Sequence, residues 1–348
     1  MISPAQIWIF HFSIYILATN YFTEYPKPGL LFFTILMSYL FGWFCVSFIK
    51  FKNNKKIKYS KTKISYILRF LTLTFLFCCC LKIAMAINIQ NTFEFENTDK
   101  FRIAVKENTT LPLQFFMRLS NVIVLLGNLC LCQIFIKNTK IKSAGLICLI
   151  SWIATDIVSG NRESIKGIIF CILMLLLNLK VPVFKKLAYA SVFGLFAFLF
   201  FTLIGNLRNH YYDIWGGLIS SFHNLYGNLA ALILRANEEW DKSHFQHDPE
   251  IIFDGILINT GSDLEQKYYL GGFFMLFFYG MISKILFEKA KSFYSNEKPL
   301  TQFFLITLIT NSILGVRGTP IVTMTNLLSL LILFCIILKA KPKKEHVI

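Results

Sequence analysis

The chain has 348 residues and a net charge of +16, and 55% of its residues are apolar. Its mean hydropathy of +0.57 and its uninterrupted apolar blocks exclude an ordinary soluble domain, whose helices would show amphipathic periods. The charge does not indicate a nucleic-acid partner, because the lysines crowd short linkers between apolar blocks. Such linkers are typical of the cytoplasmic side of a membrane protein.

Ten apolar blocks are long enough to cross roughly 30 Å of hydrocarbon as helices. The first has neither a basic leader nor a small-residue cleavage site, so we predict a retained span. With the N-terminus in the cytoplasm, every Lys-rich linker and the Lys-rich C-terminal tail are cytoplasmic. The predicted fold is an all-α, polytopic integral membrane protein, one domain over 1–348 with both termini cytoplasmic. The predicted spans are 5–22, 29–49, 64–89, 111–136, 144–160, 164–179, 187–206, 268–287, 301–316 and 319–338.

Two longer segments lie outside in this topology, a smaller loop at 90–110 and a large one at 207–267. Within the large loop, 216–236 is about as long as a span, yet counting it as one would place the Lys-rich tail outside. Its apolar residues recur on one helical face. We therefore predict an amphipathic helix that lies on the outer interface or re-enters the membrane part way. That face consists of Leu218, Phe222, Leu225, Leu229 and Leu232.

The arginines are distributed differently from the lysines. There are seven, and all but Arg69 fall on or near the predicted outer side, against the positive-inside trend. A guanidinium binds phosphate bidentately and stays charged in a partly dry site. We therefore predict that four of them bind a lipid-carried phosphate or pyrophosphate. The alternative is that each contacts headgroups or pairs with a nearby acid. The four are Arg162, Arg208, Arg235 and Arg317.

His210 is the candidate general base, because it follows Arg208 in the large loop and could accept a proton from a sugar hydroxyl near neutral pH. Its alternative role is to hydrogen-bond a headgroup or the loop. Asp156, in the last turn of its predicted span, is either paired structurally or a base. The remaining candidate substrate-binding residues flank these positions, namely Asn161, Tyr211 and Tyr212. Neither a nucleotide-binding glycine motif nor a metal-binding signature is found, so we predict no cofactor and no metal.

The chain resembles the Wzy-type O-antigen polymerases, the oligosaccharide repeat-unit polymerases of bacterial inner membranes. The resemblance covers the whole architecture: about ten spans, a long external loop in the second half and arginines on the outer face. Locally, the Ser-Gly-Asn-Arg turn ending at Arg162 is similar to a Gly/Ser-x-Arg turn of that family. Arg208, at the start of the long loop, is similar to the family's loop arginines.

This resemblance implies a metal-independent glycosyltransferase that polymerises undecaprenyl-pyrophosphate-linked repeat units on the periplasmic face of the inner membrane. It further implies lipid-linked glycans and membrane lipids as partners, with a chain-length regulator protein as another candidate. An O-antigen ligase would share the outer arginine site. A flippase or other transporter would need polar residues through the bilayer centre, where the sequence shows few besides Lys82 and Asp156.

Overall fold

The computed structural model describes residues 2–21, 25–49, 61–93, 111–136, 139–159, 163–178, 182–209, 226–230, 251–253, 256–258, 262–293 and 299–317, with isolated positions at 219, 222, 328, 329, 331, 332 and 335. The chain divides into two compact units. Unit 1 consists of Met1–Asn54, Asp213–Ser292 and Leu308–Thr323, and unit 2 of Lys55–Tyr212, Phe293–Thr307 and Met324–Ile348.

Nearly all described residues are helical. A small antiparallel hairpin, β1 (Ile251–Phe253) and β2 (Ile256–Ile258), lies in the predicted large loop. Short 3₁₀ turns follow three of the helices, at Val46–Phe48, Cys132–Phe135 and Gly315–Arg317. The helices are α1 (Pro4–Ala18), α2 (Leu30–Cys45), α3 (Lys61–Phe93), α4 (Leu111–Leu131), α5 (Thr139–Ser159), α6 (Ser164–Asn178), α7 (Val183–Asn209), α8 (Asp263–Phe293) and α9 (Pro299–Leu314).

Helix length and surface composition identify a helical membrane protein. Large apolar side chains are exposed, among them Phe184 at 83% and Phe274 at 79%, whereas charged side chains such as Lys82 and Asp156 are buried. This distribution suits a lipid environment and would be unfavourable in water. Five helical segments are long and apolar enough to cross a membrane, namely Leu30–Phe48, Tyr66–Ile89, Gln114–Phe135, Lys140–Ser159 and Asp263–Ser292.

The predicted spans coincide in order with the described helices from α1 to α9, while the tenth, 319–338, lies largely outside the described residues. The apolar helices Pro4–Ala18, Ser164–Asn178 and Leu300–Leu314 are shorter than a typical span. Helix α1 begins at Pro4, because Ser3 and Gln6 form a capping box around that position. Ten crossings therefore remain a prediction.

Contacts between α1 and α9 bear on the predicted orientation. A Cβ atom at Gly315 would lie 2.8 Å from the Trp8 ring, and His11 lies beside Ser312 and Ile313. The contact partner of Trp8 is thus residue 315 and the partners of His11 are residues 312 and 313. Residue numbers that rise along α1 and fall along α9 are expected for antiparallel neighbours. In the charge-based topology both helices run from the cytoplasmic side to the outer side, which would make them parallel. The direction of the crossings therefore also stays a prediction.

The eighth predicted span, 268–287, lies within the apolar segment Asp263–Ser292, but α8 is not one straight helix, because it folds back on itself. The backbone is non-helical at Gly271 and Gly272, and the Tyr279 hydroxyl donates to the Asp263 carboxylate. In a straight helix these two residues would stand about 24 Å apart. The segment 263–270 therefore packs against the longer segment 273–293, which alone measures about 30 Å.

Gly272 permits this reversal, since its φ of 62° and ψ of −151° lie in a region that is essentially restricted to glycine. We expect Gly272→Ala to lower the free energy of unfolding by about 1–3 kcal/mol. Its added Cβ would meet no atom within 4 Å, so the loss would reflect backbone strain alone. Thermal unfolding of the detergent-purified protein measures it; an unchanged midpoint would contradict the assigned backbone conformation.

The predicted amphipathic segment 216–236 is described at 219, 222 and 226–230. All five residues of 226–230 are buried, including Asn228, which donates to the Val316 carbonyl at 3.0 Å. A helix on the membrane surface would expose its polar face. Residues 226–230 are thus buried within unit 1, and the position of the segment relative to the membrane stays a prediction.

In unit 2, helices α3 to α6 pack around Trp152, which is fully buried. Gly127 of α4 and Gly167 of α6 both lie against its ring, where an added Cβ would come within 2.2 and 3.0 Å. Small residues of this kind let membrane helices approach closely. All nine cysteines are described and are free thiols, five of them buried. The helices of this core include the last turn of α5 and the start of α6, where the candidate site lies.

Candidate functional site

Asp156 holds the start of helix α6. It lies in the last turn of α5, 1% exposed, and its carboxylate accepts a hydrogen bond from the backbone N–H of Ser164. The first amides of a helix lack partners within the helix, and their partial positive charge favours a carboxylate. Asp156 therefore fixes the point at which the chain returns after the connecting residues 160–163.

Lys82 on α3 brings a positive charge to the same place. It is 1% exposed, its amine stands 5.3 Å from the centroid of the Phe116 ring, and it attracts Asp156 and Glu163 electrostatically. Burying an ion costs several kcal/mol unless other charges and hydrogen bonds compensate. In a membrane helix such a residue indicates a functional site by default.

Less buried charges surround this pair. Glu163 and Lys166 form an ion pair at 2.7 Å, with side chains 38% and 24% exposed, so the pair contributes little stability. Thr155 and Ser159 direct their hydroxyls to main-chain carbonyls of α5. Two kinds of polar group therefore lie where α5 ends and α6 begins. One is hydroxyls bonded to the main chain of α5, and the other is the buried, oppositely charged side chains of Lys82 and Asp156.

The structure places only some of the predicted site residues. Asp156 is described in full and pairs with a helix start. Arg208 lies in the last turn of α7 and Arg317 ends the 3₁₀ turn after α9, but their side chains are outside the described part. The convergence of the outer arginines therefore stays a prediction. The candidates that lie wholly outside the described residues are Asn161, Arg162, His210, Tyr211, Tyr212 and Arg235.

A second buried polar cluster lies in unit 1 and was not predicted. His11 of α1 is 4% exposed, and its Nδ1 atom stands 3.4 Å from the Tyr226 hydroxyl. Asn228, two residues on, binds the end of α9 through the Val316 carbonyl. The available signal was a histidine in the middle of an otherwise apolar block, which is costly to bury in a membrane. This cluster connects the segment 226–230 to α1 and to the end of α9.

No family model, curated protein or solved structure matches this chain. Among the described residues, no group of three His, Cys, Asp or Glu side chains is arranged to hold a metal ion. Lys82 and Asp156 are charges of opposite sign that are each 1% exposed within unit 2.

Proposed function

We propose that this chain is a multi-pass membrane glycosyltransferase that polymerises lipid-linked oligosaccharide repeat units, as the Wzy-type polymerases do. Its substrates would be undecaprenyl-pyrophosphate-linked glycans at the periplasmic face of a bacterial inner membrane. The growing chain would leave its pyrophosphate carrier and join the terminal sugar of a new repeat unit.

The observation that supports this proposal is the anchored start of α6. Arg162 lies two residues before Ser164, the first residue of the helix, and Asp156 fixes the Ser164 amide at that position. A guanidinium suits phosphate oxygens, because it supplies two parallel hydrogen-bond donors and a positive charge. The proposed role of Arg162 is therefore to bind the pyrophosphate leaving group, away from the helix start that the Asp156 carboxylate occupies.

The chemistry is a displacement at the anomeric carbon of the growing chain. The acceptor hydroxyl forms the new C–O bond and loses its proton to a base, for which His210 is the candidate. The bond from the anomeric carbon to the phosphate oxygen breaks, and the pyrophosphate leaves with the electron pair. Arginines that face this group would stabilise its developing charge, and they would act most strongly in a site screened from water.

Loss of either proposed arginine tests the function. We expect Arg162→Ala or Arg208→Ala, expressed in a deletion strain, to abolish long polysaccharide while single repeats accumulate on lipid. Arg69→Ala is the matched control, because Arg69 is exposed and lies near the predicted cytoplasmic end of its helix. Arg162 and Arg208, in contrast, lie on the predicted outer side. Gel electrophoresis of surface polysaccharide is the measurement. Normal chain length in both variants, with correctly inserted protein, would reject the proposal.

The same gel separates polymerase from ligase. A deletion strain that carries one repeat per lipid A core lacks a polymerase, whereas chains that are built on lipid but missing from the core indicate a lost ligase.

Transport of a lipid-linked sugar is a second candidate, because the described helices bury more charge than the sequence suggested. Besides Lys82 and Asp156, both Asp263 and Glu265 are at most 1% exposed, and buried charges commonly mark transport pathways. In a deletion strain, a missing flippase would leave single repeats on the cytoplasmic leaflet. Repeats that an impermeant glycosidase reaches from the periplasm would exclude this role.

A further inference from the structure

The Asp156 carboxylate retains unused hydrogen-bonding capacity. One of its oxygens, Oδ2, accepts from the Ser164 amide, and the other, Oδ1, has no partner among the described residues. The Ser164 hydroxyl is fully buried beside the same carboxylate, yet it makes no hydrogen bond of acceptable geometry within the described part. Buried polar atoms in proteins are normally paired, so two such atoms side by side indicate a polar ligand.

Lys82 on α3 lies close enough to Asp156 to attract its carboxylate electrostatically. One turn earlier, the Cys79 thiol contacts the Thr155 side chain, which sets α3 against the last turns of α5. The Lys82 amine attracts Asp156, but no carboxylate of the described residues lies within ion-pair distance of it. The Lys82 amine and the Asp156 carboxylate therefore attract each other without forming a direct ion pair.

The chemistry of these groups selects the ligand. A ligand hydroxyl can donate to Asp156 Oδ1 and accept from the Lys82 amine at the same time. The Ser164 hydroxyl can donate to this ligand or accept from it. A phosphate oxygen can only accept, and it would be repelled by the Asp156 carboxylate. Resting on the proposed function, we infer that Lys82, Asp156 and Ser164 bind a sugar hydroxyl of the lipid-linked glycan, whereas its pyrophosphate binds elsewhere.

The test compares single with double removal of the charges. Lys82→Met or Asp156→Asn alone leaves one buried charge unpaired, so both single variants should lose folded protein. The double variant removes both charges at similar volume, and replacements of this kind are often neutral or stabilising. We expect the double variant to be recovered folded in detergent but to build no long polysaccharide. Folded double variant with normal chain length would overturn the inference, since a purely structural pair would be dispensable.

Ser164→Ala decides the question if the double variant does not fold, because the Ser164 hydroxyl has no hydrogen bond of acceptable geometry to lose. We expect unchanged thermal stability and chain assembly reduced about five- to tenfold, as for one lost hydrogen bond to substrate. Wild-type assembly in this variant would contradict the inference.

Binding to the purified protein supplies a readout independent of polymerisation. The probes are the free oligosaccharide released by mild acid from the strain's lipid-linked pool and, separately, inorganic pyrophosphate. We expect the oligosaccharide to raise the thermal midpoint of the wild type but not of Ser164→Ala. Stabilisation by pyrophosphate alone, lost in Ser164→Ala, would assign the site to an anion and overturn the inference.

The two proposals fail differently. If Arg162→Ala and Arg208→Ala leave chain length normal, the proposed function is rejected whatever happens at Lys82. If those variants abolish polymerisation while Ser164→Ala and a folded double variant remain active, only the sugar site is rejected.

Discussion

Gly42→Ala is expected to separate helices α2 and α8 and to lower the free energy of unfolding by about 3 kcal/mol or more, at the upper end of what overpacking costs. A Cβ atom at Gly42 would lie 1.9 Å from the Phe277 carbonyl oxygen. That oxygen belongs to the backbone, so no side-chain rotation relieves the clash. The reciprocal contact is as close, because a Cβ at Gly280 would lie 2.1 Å from the Tyr39 carbonyl oxygen.

The matched control is Gly194→Ala in α7. Gly194 is also helical, but an added Cβ there meets nothing within 4 Å, so the change should be neutral or stabilising by up to about 1 kcal/mol through helix propensity. Thermal unfolding in detergent and the recovery of monodisperse protein measure both variants. Equal midpoints for Gly42→Ala and Gly194→Ala would show that α2 and α8 are not in backbone contact.

The apolar blocks predicted the positions of the helices well, because a membrane span is specified chiefly by the length of its apolar run. They did not predict how α8 folds. Gly271 and Gly272 stand inside an apolar block, where a glycine pair is also compatible with a continuous span. The reversal combines the non-helical backbone at Gly271 and Gly272 with the contact between Asp263 and Tyr279, and that contact depends on packing and not on local pattern.

The candidate site was predictable in part for a similar reason. An acid in the last turn of an apolar block is costly, so Asp156 was identified from sequence as a paired or catalytic residue. The partner of Asp156 could not be predicted from the sequence, because it is the backbone amide of Ser164, a group that every residue except proline carries. Lys82 was recognised only as one of few polar residues near the bilayer centre, because α3 and α5 are distant in sequence and their packing brings Lys82 to Asp156.

Buried acids at helix starts recur in the two units. In unit 2, Asp156 caps α6 from the preceding helix. In unit 1, Glu265 and Ser262 form a reciprocal capping box at the start of α8, with the Ser262 amide donating to Glu265 at 3.0 Å. Both arrangements place carboxylates where helix dipoles stabilise negative charge. Charges can therefore be retained inside these apolar units without exposure to solvent.

Asp263 should contribute most among the acids of unit 1, because it joins the two segments of α8. Its Oδ1 atom lies 3.6 Å from the Lys267 amine, with Asp263 fully buried and Lys267 17% exposed. The same amine stands 5.4 Å from the centroid of the Tyr279 ring, and the Tyr279 hydroxyl donates to the Asp263 carboxylate. We expect Asp263→Ala to cost about 3 kcal/mol, because it leaves a buried hydroxyl and a mostly buried cation without their partner.

The control for this prediction lies on the same helix. Lys284 and Glu288 form an ion pair at 2.8 Å with side chains 16% and 23% exposed, and Glu288→Ala should cost below about 1 kcal/mol. Lys267→Met added to Asp263→Ala should recover part of the loss, since it removes the unpaired charge, and a double-mutant cycle measures that coupling. If Asp263→Ala and Glu288→Ala unfold at the same temperature, Asp263 does not hold the reversal, and the fold of α8 must depend on Gly272 and on apolar packing.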